Sequence, residues 1–246
     1  MIAVKLGGAV ITHKEHERQF RTRVTRRLAR ELTAADGPLA IVHGAGSFGH
    51  PQAMQYQLHR GWVPGIDQRE GIAVTHAVVR DLNLRVMREL RAAGIACTAV
   101  PPFPVLNEGY LHHLREVLDL GLTPVTFGDV LIDGQPSIVS GDYLMQLLAS
   151  RLPVQRVIFV TNVDGIYARP YDPATLIGEC TPAELERALV GDSTASDVTA
   201  GMAGKVKSIK EMVYSGAEVA VINGNKPGRL RSALCGTVTG TRVVQP

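Results

Sequence analysis

Residues 41–50, IVHGAGSFGH, decide how this chain folds. An apolar run ends in Gly44, Gly46 and Gly49, spaced as GxGxxG. After a strand, that spacing is the pattern of a turn that lays a dinucleotide pyrophosphate on a helix N-terminus. Such a site also needs an acidic residue ending a second strand about twenty residues on. Asp67 and Glu70 lie at that distance, but they sit in PGIDQREG, which has no strand pattern, and Pro51 follows the glycines directly. A complete strand and a basic helix precede the motif, whereas the dinucleotide turn belongs to the first strand. The residues therefore argue against a nicotinamide or flavin site and leave the glycines to some other phosphate.

Outward from this stretch, short β-branched runs alternate with longer helical patterns. Strands are expected at IAVKL, LAIVH, IACTAV, LTPVTF, RVIFVTN and AEVAVI, and helices near residues 17–33, 68–93, 142–151, 182–189 and 203–215. Strand, helix, strand in succession implies an α/β fold with a mainly parallel sheet covered on both faces. VLIDGQPSIV interrupts the rhythm; Asp133 and Gly134 supply a tight turn, so it reads as a hairpin. A lobe boundary is expected near Leu152 and Pro153, which divides the chain into residues 1–152 and 153–246. There is no repeat of 20–50 residues.

Composition excludes several function classes. The net charge of +3 is mild, and only RQFRTRVTRRLARE concentrates basic residues. Phe20, Val24, Leu28 and Leu32 recur there every fourth residue, so the segment reads as an amphipathic helix with a solvated arginine face, not a nucleic-acid site. Cys97, Cys180 and Cys235 have no ligand spacing, which speaks against structural zinc or a disulfide framework. The opening MIAVKL lacks the marks of a signal peptide, and no apolar run reaches membrane-spanning length. A cytoplasmic location is the expectation.

Two further glycine turns share the chemistry of the first. In VKLGGAVITHK, Lys5 ends a strand, Gly7 and Gly8 bare the backbone, and Lys14 follows; bare amides and two ammonium groups suit a highly charged anion. In DVTAGMAGKVKSIKEM, Thr199, Gly201, Gly204 and Lys205 stand at the start of a helix, where free N–H groups and the dipole favour phosphate. It is not a Walker A loop, because Thr199 stands where the first glycine belongs and Val206 where Ser or Thr would ligate magnesium.

In order, KLGGAVITHK, HGAGSFGH, SGDYLM, VTNVDGIY and DVTAGMAGKV resemble the amino acid kinase superfamily, and in detail its isopentenyl phosphate kinase family. The resemblance spans nearly the whole chain. It implies a three-layer αβα sandwich in which the N-terminal lobe binds the phosphate acceptor and dimerises and the C-terminal lobe binds ATP across one continuous sheet. It further implies a kinase that uses ATP and Mg2+ to phosphorylate isopentenyl phosphate. Fosfomycin kinases share much of the His-containing pattern, and a regulatory phosphate- or nucleotide-binding protein of the same fold is the reading without turnover.

By the same resemblance, Gly44, Ala45, Gly46 and Gly49 hold the acceptor phosphate, His50 donates to it, and the Gly141 amide touches it. Lys5 and Lys14 reach the transferring group, Lys205 approaches the ATP phosphates, and Asp142 orients the lysines. Leu6, Gly7, Gly8, Ala9 and Gly46 face the phosphates of ATP, and Thr161, Asp164, Gly165, Tyr167 and Gly201 lie along the nucleotide. From the residues alone, the alternative readings are a turn residue before Pro51 for His50 and an ordinary helix N-cap for Asp142. No carboxylate cluster marks a protein cage for a metal, so magnesium is expected on phosphate oxygens and water. Ile72, Val79, Leu82, Val86 and Leu90 have the spacing of plain core, with Val74, Val78 and Ile138 as further candidates for a tail pocket. The other histidines are read as structural or surface residues.

Overall fold

The computed structural model describes residues 1–13, 15–169, 172–190 and 200–246, with the backbone alone for residues 190 and 200–205. Lys14 and Thr199 lie outside the described residues, as does the Lys205 side chain. The elements run β1 (Ile2–Leu6), α1 (Gly8–Ile11), α2 (Thr22–Leu32), β2 (Leu39–His43), α3 (Gly46–Gln55), α4 (Gln68–Ala92), β3 (Cys97–Ala99), α5 (Glu108–Asp119), β4 (Thr123–Phe127), β5 (Asp129–Asp133), β6 (Gln135–Val139), α6 (Gly141–Arg151), β7 (Arg156–Thr161), β8 (Glu179–Cys180), α7 (Pro182–Val190), α8 (Ala200–Tyr214), β9 (Glu218–Asn223), α9 (Arg229–Leu234) and β10 (Gly240–Val243). Eight strands form one sheet in the order β3-β4-β2-β1-β7-β9-β10-β8, and β5 pairs with β6 as the expected hairpin.

Strands β3, β4, β2, β1, β7 and β9 are parallel, and β10 runs against β9. This is the α/β sandwich that the strand and helix alternation predicts. Alternate residues of the central strands enter opposite cores: Ile2, Val4 and Leu6 pack under α2 and α4, while Ala3 joins Val157 and Phe159 under α5, α6 and α8. A period of two then puts Lys5 on the α6 face with Ala3. Strand β1 has β2 on one side and β7 on the other, so the chain leaves its carboxyl end at the point where strand order reverses, the place where open α/β sheets bind ligands. No helix among the described residues is long and apolar enough to cross a membrane.

Near the site, the structure departs from the sequence reading around α2 and α3. The basic helix begins at Thr22, not at residue 17. Before it, Thr12 bridges to Phe20, and Arg18, at φ 54°, donates its amide to the Ser47 carbonyl at 3.1 Å. Nor is the arginine face of α2 simply solvated. Arg26 pairs with Glu89 of α4 at 2.8 Å, and Arg27 bonds Glu31 and the Gly224 carbonyl. The buried Glu31 carboxylate accepts the amides of Gly228, Leu230 and Arg231 at 3.1–3.2 Å, which satisfies the start of α9. Finally, α3 replaces the expected loop although Pro51 lies inside it. A proline lacks the N–H that would bond the carbonyl four residues back. Here that carbonyl belongs to Ser47 and takes the Arg18 amide instead, so the helix continues without leaving it unpaired.

Candidate active site

The carboxyl ends of β1, β2 and β4 open onto a cavity of about 530 Å3. Three helices start at its wall. Gly8 and Ala9 open α1, Gly46 and Ser47 open α3, and Gly141 and Asp142 open α6, which Ser140 caps by accepting the Tyr143 amide at 3.1 Å. Helix N-termini present free N–H groups and a positive dipole end, so three of them around one space favour an anion strongly.

The glycine loops after β1 and β2 touch backbone to backbone. A Cβ on Gly8 would lie 2.6 Å from the Gly46 nitrogen, and one on Gly44 would lie 2.7 Å from the Gly8 nitrogen. Gly46 also has φ +50°, which L side chains rarely adopt. Thr12 ties the two loops together. Its buried hydroxyl donates to the Gly8 carbonyl at 2.7 Å and accepts the Ser47 amide at 3.0 Å. No local pattern in the sequence marks this threonine, since its partner is 35 residues away.

Lys5 crosses the cavity floor. A Cβ on Gly141 would sit 2.9 Å from Lys5 Cε, so a side chain there would push the end of the lysine from its path. Its Nζ meets Asp142 Oδ1 at 2.8 Å, with the lysine side chain 12% exposed and the aspartate 33%. It also lies 5.8 Å from the centre of the Phe159 ring. Asp142 is the second residue of α6 and Ser140 is the cap, so Asp142 is not the N-cap and is available to hold Lys5. His50 stands inside α3, not on a turn, with its ring exposed at the mouth. Loss of hydration and then the Lys5 charge hold its pKa below the usual histidine value, which leaves the ring neutral at pH 7. Because the ring is exposed, solvent screening limits both effects.

The far wall is apolar. Ala53 and Pro51 of α3, Val79 of α4, and Ile138 and Val139 of β6 line it together with Thr75 and Asp129. Gly49 lines the cavity from within α3, where a Cβ would lie 2.6 Å from Val79; it lets α3 and α4 close on each other. Of the expected tail residues, Val79 and Ile138 face the cavity, while Val78, Leu82, Val86 and Leu90 are core and Val74 packs against that core.

Two of the histidines read as structural or surface residues are packed beside the site. His43 is fully buried against Phe127, and burial pushes its pKa down to about 4. His76 bonds the buried Asp129 at 2.8 Å, and loss of hydration raises the Asp129 pKa despite that partner.

The residues expected along the nucleotide lie apart from this cavity, beyond β7. The Thr161 hydroxyl sits between the Val163 and Ile222 carbonyls, and Asp164 accepts from Asn223 at 3.1 Å. Gly165 packs against Thr241, and Tyr167 bridges to Leu176. Gly7 is there because a Cβ would lie 2.7 Å from the Val160 carbonyl; Leu6 is wholly buried in the core. Gly201 and Lys205 are on α8, on the backbone alone. Among the described residues, no cluster of His, Cys, Asp or Glu could hold a metal ion.

Residues 1–223 match the profile of the Amino acid kinase family. The chain belongs to this family. It is 36% identical to an isopentenyl phosphate kinase of Methanothermobacter thermautotrophicus over 99% of this chain and 98% of that one. It is 32% identical to an isopentenyl phosphate kinase of Thermoplasma acidophilum over 97% and 99% of the two chains. A crystal structure of the T. acidophilum isopentenyl phosphate kinase product complex superposes with a TM-score of 0.83 at 29% identity, covering 99% of both chains. A member of this family with three helix N-termini and a lysine at one cavity has the parts for handling a phosphorylated substrate.

Proposed function

We propose that this kinase transfers the γ-phosphoryl group of ATP to isopentenyl phosphate, releasing isopentenyl diphosphate and ADP. The observation that carries this reading is the two-sided cavity: helix N-termini and Lys5 on one wall, Ala53, Val79, Ile138 and Val139 on the other. The first suits a phosphate, and the second suits a short branched hydrocarbon. Full-length similarity to isopentenyl phosphate kinases of two archaeal sources supports the same choice.

In the reaction, an oxygen of the acceptor phosphate forms the new bond to phosphorus, and ADP leaves with the electrons of the old one. By analogy with phosphorylated side chains, the second pKa of a phosphate monoester is about 6, so the acceptor is largely ionised at pH 7 and needs no strong base. Catalysis is then positioning and charge neutralisation. The amides of Ala45, Gly46 and Gly141 hold the acceptor; Gly44, whose own amide bonds the Leu6 carbonyl at 3.0 Å, and Gly49 shape the loop and the wall behind it, and neutral His50 donates an N–H to it. Lys5, steadied by Asp142, neutralises charge on the moving group. Lys14 joins it there, and Lys205 comes from the nucleotide side. ATP lies over Thr161, Asp164, Gly165, Tyr167 and Gly201, with its phosphates against residues 5–9.

The described donor set fits a magnesium ion carried by the nucleotide, since of the two carboxylates that line the cavity Asp142 is engaged by Lys5 and Asp129 by His76 and the Val130 amide. Bound there, the ion would neutralise phosphate charge. The N-terminal half, with α4 and its exposed Leu84, is proposed to form a homodimer. A monomeric mass by light scattering at working concentrations would overturn that.

The test of function is ADP release with isopentenyl phosphate, dimethylallyl phosphate, fosfomycin, UMP and N-acetylglutamate. The highest kcat/KM is expected with isopentenyl phosphate; a preference for fosfomycin would sink the isoprenoid reading, because that acceptor leaves the apolar wall empty.

A further inference from the structure

His76, which is half-buried, and the buried Asp129 form a pair beside the cavity for which the proposed reaction has no use. His76 is on α4 between Thr75 and Val79, two residues of the cavity wall, and its ring stacks on Phe103 with centroids 4.1 Å apart. Asp129 begins β5, is 2% exposed and lines the same cavity. Both its oxygens are engaged: Oδ2 accepts from His76 Nδ1 at 2.8 Å and Oδ1 accepts the Val130 amide at 2.8 Å. A carboxylate held this way serves as an anchor, not as a group free to meet substrate.

What it anchors is Gly128. The Gly128 amide donates to the His43 carbonyl at 3.1 Å. A Cβ there would lie 3.1 Å from the Val139 carbonyl, 3.4 Å from the Gly141 nitrogen and 3.9 Å from the Ala45 nitrogen. Gly128 is therefore wedged between the glycine loop after β2 and the start of α6. A shift of its neighbour Asp129 would move the peptide that spaces those two anion-binding walls. Through Val130 the same anchor reaches the hairpin that supplies Ile138 to the apolar wall.

We propose that His76 and Asp129 are a positioning pair, tying α4 to the start of β5 so that the acceptor walls at Ala45 and Gly141 keep the spacing that binds the acceptor phosphate. This rests on the reading of the cavity as the acceptor site.

The experiment measures KM for isopentenyl phosphate, KM for ATP, kcat and Tm for the parent, His76→Ala and His76→Asn. Asparagine keeps an N–H donor near the position of Nδ1. His76→Ala is expected to raise the acceptor KM about tenfold, the lower scale for losing a hydrogen bond to a charged group, while KM for ATP changes less than twofold. His76→Asn should recover most of that loss. A folded His76→Ala protein with the parental acceptor KM would overturn the proposal, as would an equal rise in both KM values that His76→Asn fails to reverse. If His76→Ala does not fold, Phe103→Leu removes only the stack beneath the ring. A selective rise in acceptor KM supports the pair there, and a parental value overturns it. Absence of ADP release from the parent with isopentenyl phosphate overturns the function itself, a result separate from any of these.

Discussion

Gly8→Ala tests the geometry of the site with one methyl group. The new Cβ would lie 2.6 Å from the Gly46 nitrogen and 2.7 Å from the Gly46 Cα, where ordinary contact begins at 3.4 Å. Both neighbours are backbone, so no side chain can turn aside, and the two loops must part by close to 1 Å. The Thr12 hydroxyl, bonded to Gly8 on one side and Ser47 on the other, resists that parting. Overpacking of this kind costs about 1–3 kcal/mol. Each kcal/mol lowers Tm by roughly 2–4 °C in a chain of this size. Activity should suffer more, since displacing reacting groups by about 1 Å costs on the order of 100-fold in rate. ADP release with isopentenyl phosphate should therefore show kcat/KM down about 100-fold, with Tm lower by only several degrees. Gly178→Ala, where a Cβ meets nothing within 4 Å, is the control and should match the parent. A folded Gly8→Ala enzyme within threefold of the parent would refute the claim that the touching loops set the phosphate site.

Lys5→Met, which keeps the stem and removes the charge, should lower kcat by about two orders of magnitude with a smaller effect on ATP affinity; near-normal turnover would remove Lys5 from the chemistry. His50→Ala should cut kcat/KM for the acceptor tenfold to hundredfold, on the scale of roughly 1.5–3 kcal/mol for a bond to a charged group, and His50→Gln should restore part of it. Calorimetric ATP binding should be untouched in both His50 variants, and a wild-type rate in His50→Ala would withdraw its role. For His43, burial lowers the folded pKa to about 4, below the usual value of 6.5. Its stabilising contribution is present above pH 6.5 and is lost as pH falls towards 4, up to about 3 kcal/mol. Urea unfolding at pH 7 and pH 4.5 should show that loss in the parent and a smaller one in His43→Gln; equal losses would exclude His43 as the source.

The sheet was legible because its signals are local. IAVKL, LAIVH and RVIFVTN are mainly apolar runs, as strands covered on both faces are, and each appears as β1, β2 or β7 with little change. The glycines were legible for a related reason: a residue lacking a side chain after a strand marks an approach by something else. What approaches was not readable. At Gly44 and Gly8 it is the other loop's backbone, at Gly49 it is Val79, and at Gly165 it is Thr241. The helix α5 was missed although Asn107 accepts the Tyr110 amide and Tyr110, Leu111, Leu114 and Val117 have helical spacing; that signal was available.

The rest of the site depends on contacts that no window of sequence contains. Pro51 argued for a turn until Arg18, 33 residues earlier in the chain, was found on the Ser47 carbonyl that the proline cannot bond. Thr12 and Ser47 are 35 residues apart, and His76 and Asp129 are 53. These pairs share one physical property: each joins polar groups that lie far apart in the chain, where an unmade bond would cost about 1–3 kcal/mol. Such bonds also do what local structure cannot. They set the distance between elements, Thr12 for the two glycine loops and Asp129 for the hairpin and α4. A lysine, a glycine turn and a helix start can each be read from the sequence as phosphate chemistry, but only the long-range pairs hold them at one phosphate.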